Sequence, residues 1–202
     1  MDLFVELYDK GGPVIYLILA ASIVGLGYIL YCLLVLRRSV VMSKPLVQLA
    51  ATLDQEAGCA DAEALCRQEG GPFAEILLAV LTTRRAGREE AETLVESAGR
   101  RAAHDLSHGI LALEVIAAIS PLLGLLGTVL GMHRAFQNLQ AAGVKNFGML
   151  SGAISEALIT TICGLIVAIP AFVAFTWFRR RVDDIVLEME RLAMGLMARL
   201  RT

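Results

Sequence analysis

The sequence predicts an all-α integral membrane protein with three transmembrane helices and long cytoplasmic helical extensions. Three observations carry that prediction. Hydrophobic residues make up 56% of the 202-residue chain and charged residues only 19%, against about a quarter in an ordinary soluble domain; mean hydropathy is +0.65. Three apolar runs are each long enough to cross a hydrocarbon core of ~30 Å. No stretch keeps the two-residue alternation of a half-buried strand, and neither an internal repeat nor a low-complexity linker breaks the chain. A formal net charge of −2 supplies no basic surface for nucleic acid.

Residues 1–12 form a short periplasmic N-terminus carrying Asp2, Glu6 and Asp9. The first span, 13–36, reads PVIYLILAASIVGLGYILYCLLVL without a charge and is closed by Arg37 and Arg38. Its acidic flank and its length both argue against a cleaved signal peptide, whose flank is basic and whose apolar core is shorter. Residues 37–110 make a cytoplasmic helical domain, punctuated by Gly58, Gly70, Gly71 and Gly87. Pro72 suits the first turn of a helix whose apolar anchors run from Phe73 to Leu81. Cys59 and Cys66 lie one heptad apart and read as small core residues; no disulfide framework or zinc site is expected. The charged, helix-favouring stretch 88–109 leads straight into the second span, 111–132, which has Glu114 near one end and Pro121 inside. A periplasmic loop, 133–152, precedes the third span, 153–178. The tail, 179–202, places Val182, Ile185, Met189, Leu192, Leu196 and Leu200 at three- and four-residue steps, one apolar face of an amphipathic helix.

Orientation follows from the cationic residues. Nine of them lie in the 37–110 segment and six in the tail. Only Lys10, Arg134 and Lys145 lie in the N-terminus and the 133–152 loop. Positive charge marks the cytoplasmic side, so the chain is expected to cross three times with the N-terminus outside and the C-terminus in the cytoplasm.

The chemistry concentrates in residues 120–132, SPLLGLLGTVLGM, and 154–170, ISEALITTICGLIVAIP. In the third span Ala153, Ala157, Thr161, Gly164, Ala168 and Ala171 recur at helical steps, one face made of small residues. Ala117, Pro121, Gly124, Thr128 and Gly131 do the same in the second, and Gly127 with Gly131 forms a GxxxG. Small faces let helices approach closely. Either the two stripes are ordinary close packing, or they line a common passage to which Thr128 and Thr161 contribute hydroxyls. Back-bonding to their own helix is the competing use of those hydroxyls. Glu156, near the outer end of the third span, is the one carboxylate placed to titrate within the membrane. It is an ion-pathway group by default, against an interfacial acid reaching water. Glu114 reads as a solvated helix-end acid or as a cytoplasmic exit group for protons. His133 and Arg134 read as outer-interface residues. His104 and His108, four apart on one helix face, lack a third ligand, so no metal and no cofactor is expected. No Ser/His/Asp set or HExxH motif suggests an enzyme, and no matching interrupted helices suggest an inverted-repeat carrier.

The run PLLGLLGTVLGM followed by ISEALITTICGLIVAIPA closely resembles the MotA/TolQ/ExbB proton channel family, its ExbB/TolQ branch in particular. The resemblance implies a homopentameric ring whose second and third spans surround a pore. That pore would hold the single membrane helices of an ExbD/TolR-like partner bearing a membrane aspartate. It implies that Thr128 and Thr161 form a polar ring around that aspartate and that Glu156 is the family glutamate, acting in proton access or helix contacts. Gly124, Gly127, Gly131, Ala157, Gly164 and Ala168 are then packing residues of the pore walls. Proton-motive force would drive work on the cell envelope, of TonB type or Tol type, through a TonB/TolA-like protein spanning the periplasm. The alternative is a non-conducting oligomeric scaffold that anchors a partner.

Overall fold

The computed structural model describes residues 12–53, 58–83, 87–142 and 147–200. The expectations for residues 1–11, for the middle of the 133–152 loop at 143–146 and for the last two residues lie outside the described residues.

Every regular element described is a helix. In chain order they are α1 (Gly12–Val35), α2 (Arg38–Val41), α3 (Lys44–Thr52), α4 (Cys59–Glu69), α5 (Gly71–Thr82), α6 (Arg88–Ala142) and α7 (Phe147–Leu200). Three are long and apolar enough to cross a membrane: Pro13–Val35 in α1, and the apolar stretches within Glu89–Gln137 of α6 and Ala157–Leu200 of α7. The 23 residues of the first reach roughly 35 Å at 1.5 Å per residue. Pro121 and Pro170 both lie inside helices. Each removes one main-chain donor, leaving the carbonyl four residues earlier without its helical partner, and neither ends its helix.

The chain divides into two compact units. One comprises Met1–Leu30 and Ile110–Thr176, the other Tyr31–Gly109 and Trp177–Thr202. In the first unit the interior consists mainly of small or β-branched residues: Ile116, Ser120, Gly124 and Gly127 of α6, and Ala157, Thr160, Gly164, Ala168 and Ala171 of α7. α1 adds Gly25, where a Cβ would stand 3.6 Å from the Ile116 side chain. Large apolar side chains point outward instead, among them Ile23, Leu26, Leu122, Val129, Ile166 and Phe172. This is the pattern of a surface solvated by hydrocarbon, where backbone bonds must close within each helix.

The second unit has the opposite arrangement, a core of large apolar side chains. Phe73, Ile76, Leu77, Val80 and Leu81 of α5 are buried at its centre. Leu46 of α3, Cys59 and Cys66 of α4, Ala91, Val95, Ala98 and Ala102 of α6, and Ile185, Met189 and Leu196 of α7 close around them. The α6 residues recur at steps of four, three and four, the helical period of a buried stripe. Burial raises the Cys66 thiol above its ordinary range, with Glu63 adding to the effect, so this cysteine behaves as an inert small apolar residue. Gly70 and Gly71 join α4 to α5 with φ of +65° and +85°, a left-handed reversal that glycine makes without a Cβ clash. Pro72 then occupies the first turn of α5. Polar ties hold the rim: Arg38 pairs with Glu188, and Arg199 donates to the Ala50 carbonyl.

Candidate functional site

The two conspicuous motifs meet within the first unit, and their register is set by glycines. A Cβ on Gly124 would lie 2.9 Å from the Thr161 Cα and 3.0 Å from the Thr160 carbonyl oxygen. On Gly164 it would lie 2.6 Å from the Ser120 carbonyl oxygen and 3.1 Å from the Gly124 Cα. Toward the other end of the seam, a Cβ on Gly127 would fall 2.5 Å from the Thr160 Oγ1, and one on Gly131 would fall 2.9 Å from the Ala157 Cβ. Real Cβ atoms essentially never sit closer than 3.0 Å, so α6 and α7 approach main chain to main chain at Gly124 and Gly164, and the Thr160 and Ala157 side chains occupy the space at Gly127 and Gly131. Gly127 and Gly131 of the GxxxG, together with Gly124, make up the α6 side of this seam, the arrangement by which helices pack tightly in lipid. Ala168 is buried further along α7.

Hydroxyls and carbonyls run along the same seam. Thr161 Oγ1 donates to the Gly124 carbonyl at 3.2 Å, across the helix pair. Thr160 Oγ1 lies 2.7 Å from the Ala157 carbonyl of its own helix and 3.3 Å from the same Gly124 carbonyl. Ser120, fully buried, donates to the Ile116 carbonyl at 2.7 Å. Thr128 donates to the Leu125 carbonyl, also at 2.7 Å. Among the described residues, no hydrogen bond joins Thr128 to Thr161. The structure thus brings together Gly124, Gly127, Gly131, Ala157, Gly164 and Thr161, while the Thr128 hydroxyl bonds within α6. Glu114 is exposed. Glu156 lies in α7, with its side chain outside the described residues.

Two groups in the seam escaped the sequence reading: Ser120 and Thr160. A stripe through Ala157, Thr160 and Gly164, at steps of three and four, satisfies the helical period as well as the stripe through Thr161 does. Two adjacent threonines on a helix that faces glycines were the available signal.

The His104 and His108 rings pack edge to face, centroids 4.9 Å apart. His133 Nε2 lies 3.1 Å from the Gln137 side-chain nitrogen. No group of three His, Cys, Asp or Glu side chains among the described residues suits a metal ion.

Fold and seam together define a class: a helical membrane protein with three candidate spans, two of them locked through glycines beside a row of hydroxyls. The family model for the MotA/TolQ/ExbB proton channel family matches residues 68–191, more than half of the chain and the whole of the seam; the chain belongs to that family. It is similar to the ExbB-like 1 biopolymer transport protein of Helicobacter pylori (strain J99 / ATCC 700824), 40% identical over 77 residues, covering 38% of this chain and 41% of that one. The biopolymer transport protein ExbB of Neisseria gonorrhoeae is 37% identical over 93 residues, 46% of this chain and 42% of its own. An ExbB homolog of Methanothermobacter thermautotrophicus is 32% identical over 188 residues, which is 92% of this chain and 66% of that protein. The first two matches thus span less than half the length of those relatives.

Proposed function

We propose that this chain is the channel subunit of a motor driven by proton-motive force, of the ExbB/TolQ kind. Five copies form a ring in the inner membrane, with the N-terminus outside and the C-terminus inside. The spans are 13–36, 111–132 and 153–178, and the segments 37–110 and 179–202 lie in the cytoplasm. Inside the ring sit the single membrane helices of an ExbD/TolR-like partner, whose aspartate takes up and releases protons. Thr128 and Thr161 line the path, Glu156 serves proton access, and Glu114 stands at the cytoplasmic exit. Moving one charge through 100 mV is worth about 2.3 kcal/mol. Cycles of aspartate neutralisation bias the partner helices, which act on a TonB/TolA-like protein across the periplasm. No catalytic group and no cofactor enters this reading.

The observation that supports it best is Thr161, a hydroxyl held at the glycine seam by a main-chain carbonyl of the neighbouring span, in a chain of this family. Such a group can pass a hydrogen bond onward without carrying charge. The test is proton uptake into liposomes containing the chain and its co-expressed single-span partner, under an imposed potential. Replacing both Thr128 and Thr161 by Val is expected to lower the flux by on the order of tenfold or more, each tenfold being about 1.4 kcal/mol of barrier. Flux at the unmodified level would end the channel reading.

One observation favours the scaffold alternative: the Thr128 and Thr161 hydroxyls both donate to main-chain carbonyls of the chain itself. A scaffold predicts silent Thr161→Val and Glu156→Gln variants, and loss of assembly when Gly127 or Gly164 is enlarged.

A further inference from the structure

Three donors at the centre of the seam, the Thr128 main-chain N–H and the Thr160 and Thr161 hydroxyls, share two main-chain carbonyls. The Gly124 carbonyl already faces the main-chain donor of Thr128 along its own helix. Thr161 Oγ1 approaches it at 3.2 Å and Thr160 Oγ1 at 3.3 Å. A hydroxyl has one proton to give, and Thr160 has a second, nearer acceptor, the Ala157 carbonyl at 2.7 Å. Thr160 is also enclosed, at 2% exposure, in a notch that exists because residue 127 has no Cβ. Its side chain is therefore held, enclosed by protein, where its hydroxyl proton has two alternative destinations.

We infer that Thr160 is a positioning residue for the ion path: the direction of its hydroxyl proton sets whether Thr161 is tied to Gly124 or free to donate elsewhere. With the Thr160 proton on the Ala157 carbonyl, Gly124 accepts from Thr161 and the Thr161 hydroxyl is held against the seam. With the Thr160 proton turned to Gly124, that acceptor is taken, and the Thr161 hydroxyl turns its proton toward the other face of α7. Both states contain the same atoms and charges; only two hydroxyl rotors differ. No covalent bond changes and no proton leaves either oxygen. The second state makes one fewer hydroxyl–carbonyl bond, and Thr161 regains one only when it meets an acceptor on the other face of α7, so the first state is the resting one.

This inference rests on the channel reading of Thr161, and the experiment separates the two. Proton uptake is measured in liposomes containing the full chain with its co-expressed partner, and assembly is checked by size and thermal unfolding of the same samples. Thr160→Val keeps the volume in the Gly127 notch and removes the hydroxyl; Thr160→Ser keeps the hydroxyl and gives up the methyl. A packing role would tolerate Val and suffer with Ser, whereas the positioning role requires the reverse. The expected result is near-normal flux for Ser and a loss of about tenfold for Val, the scale of one net hydrogen bond. Thr160→Ala needs no space at Gly127 and is expected to match Val, so a failure of Val to assemble would not decide the matter. Normal flux in both hydroxyl-free variants, or an equal loss in Ser and Ala, would overturn the positioning role while leaving the channel intact. The double variant Thr128→Val, Thr161→Val at normal flux would overturn the channel reading itself, and this inference with it.

Discussion

Glycine does different work at different places in this chain, and the neighbour decides which. At Gly164 the obstacle to a side chain is the Ser120 carbonyl oxygen and the Gly124 main chain, neither of which can swing away. Gly164→Ala is expected to cost about 1–3 kcal/mol as an overpacked site. At Gly25 a Cβ meets the Ile116 side chain at an ordinary 3.6 Å, so Gly25→Ala is expected to stabilise by about 0.5–1 kcal/mol through helix propensity. Denaturant titration of the protein in mixed micelles measures both. Gly99 is a third case, because what fills its space is the carboxylate end of Glu190. Burial raises the Glu190 carboxyl above its ordinary value, Glu96 raises it further, and Arg100 partly offsets both. The folded state then holds a proton that the unfolded state has lost, so stability is fully present below the ordinary carboxylate value. It declines as pH rises through the raised one. Glu190→Gln is expected to flatten that decline in thermal unfolding followed against pH. The sequence showed a row of small residues in each span. It did not show that Thr160 rather than Thr161 enters the Gly127 notch, since the rotation of one helix against another is fixed by contact, not by the period of either.

Helices reveal themselves in sequence in proportion to the uniformity of their surroundings. The three spans were legible because hydrocarbon demands the same thing of every residue along them. The buried stripe of α7 at Val182, Ile185, Met189 and Leu196 was legible because one side faces a core and the other water. α3, α4 and α5 are harder to bound from composition, and glycine and proline mark them best. Gly70 and Gly71 are the sharpest example, because both have positive φ. Gly71→Ala is expected to cost about 1–2 kcal/mol, the penalty of a left-handed conformation with a Cβ. α5 contributes the most to its unit's core, and Phe73 is wholly enclosed. Phe73→Ala is expected to cost about 3–5 kcal/mol, read as a lower unfolding midpoint. A loss under 1 kcal/mol would mean that the core around α5 is looser than the structure shows.

For the molecule as a whole, two units built on opposite packing rules share one chain. In one, small residues lie inside and large apolar ones outside; in the other, Phe73, Ile76, Leu77 and Met189 lie inside. A lipid-solvated body and a water-solvated one call for this inversion, and the proposed orientation rests on the distribution of Lys and Arg along the chain. The proposed orientation is checked by single cysteines in a background lacking the native four. Asp2→Cys is expected to react with a membrane-impermeant maleimide added to intact cells, and Thr202→Cys only after the cells are opened. The reverse pattern would invert the topology. The glycine seam also sets how the membrane unit responds to load. A joint whose main chains meet at Gly124 and Gly164, with only the small Thr160 and Ala157 side chains at the other glycines, has little side-chain layer to deform and so little compliance. The second and third spans should therefore tilt and twist as one stiff part, and a push on either is delivered to the other without being absorbed between them.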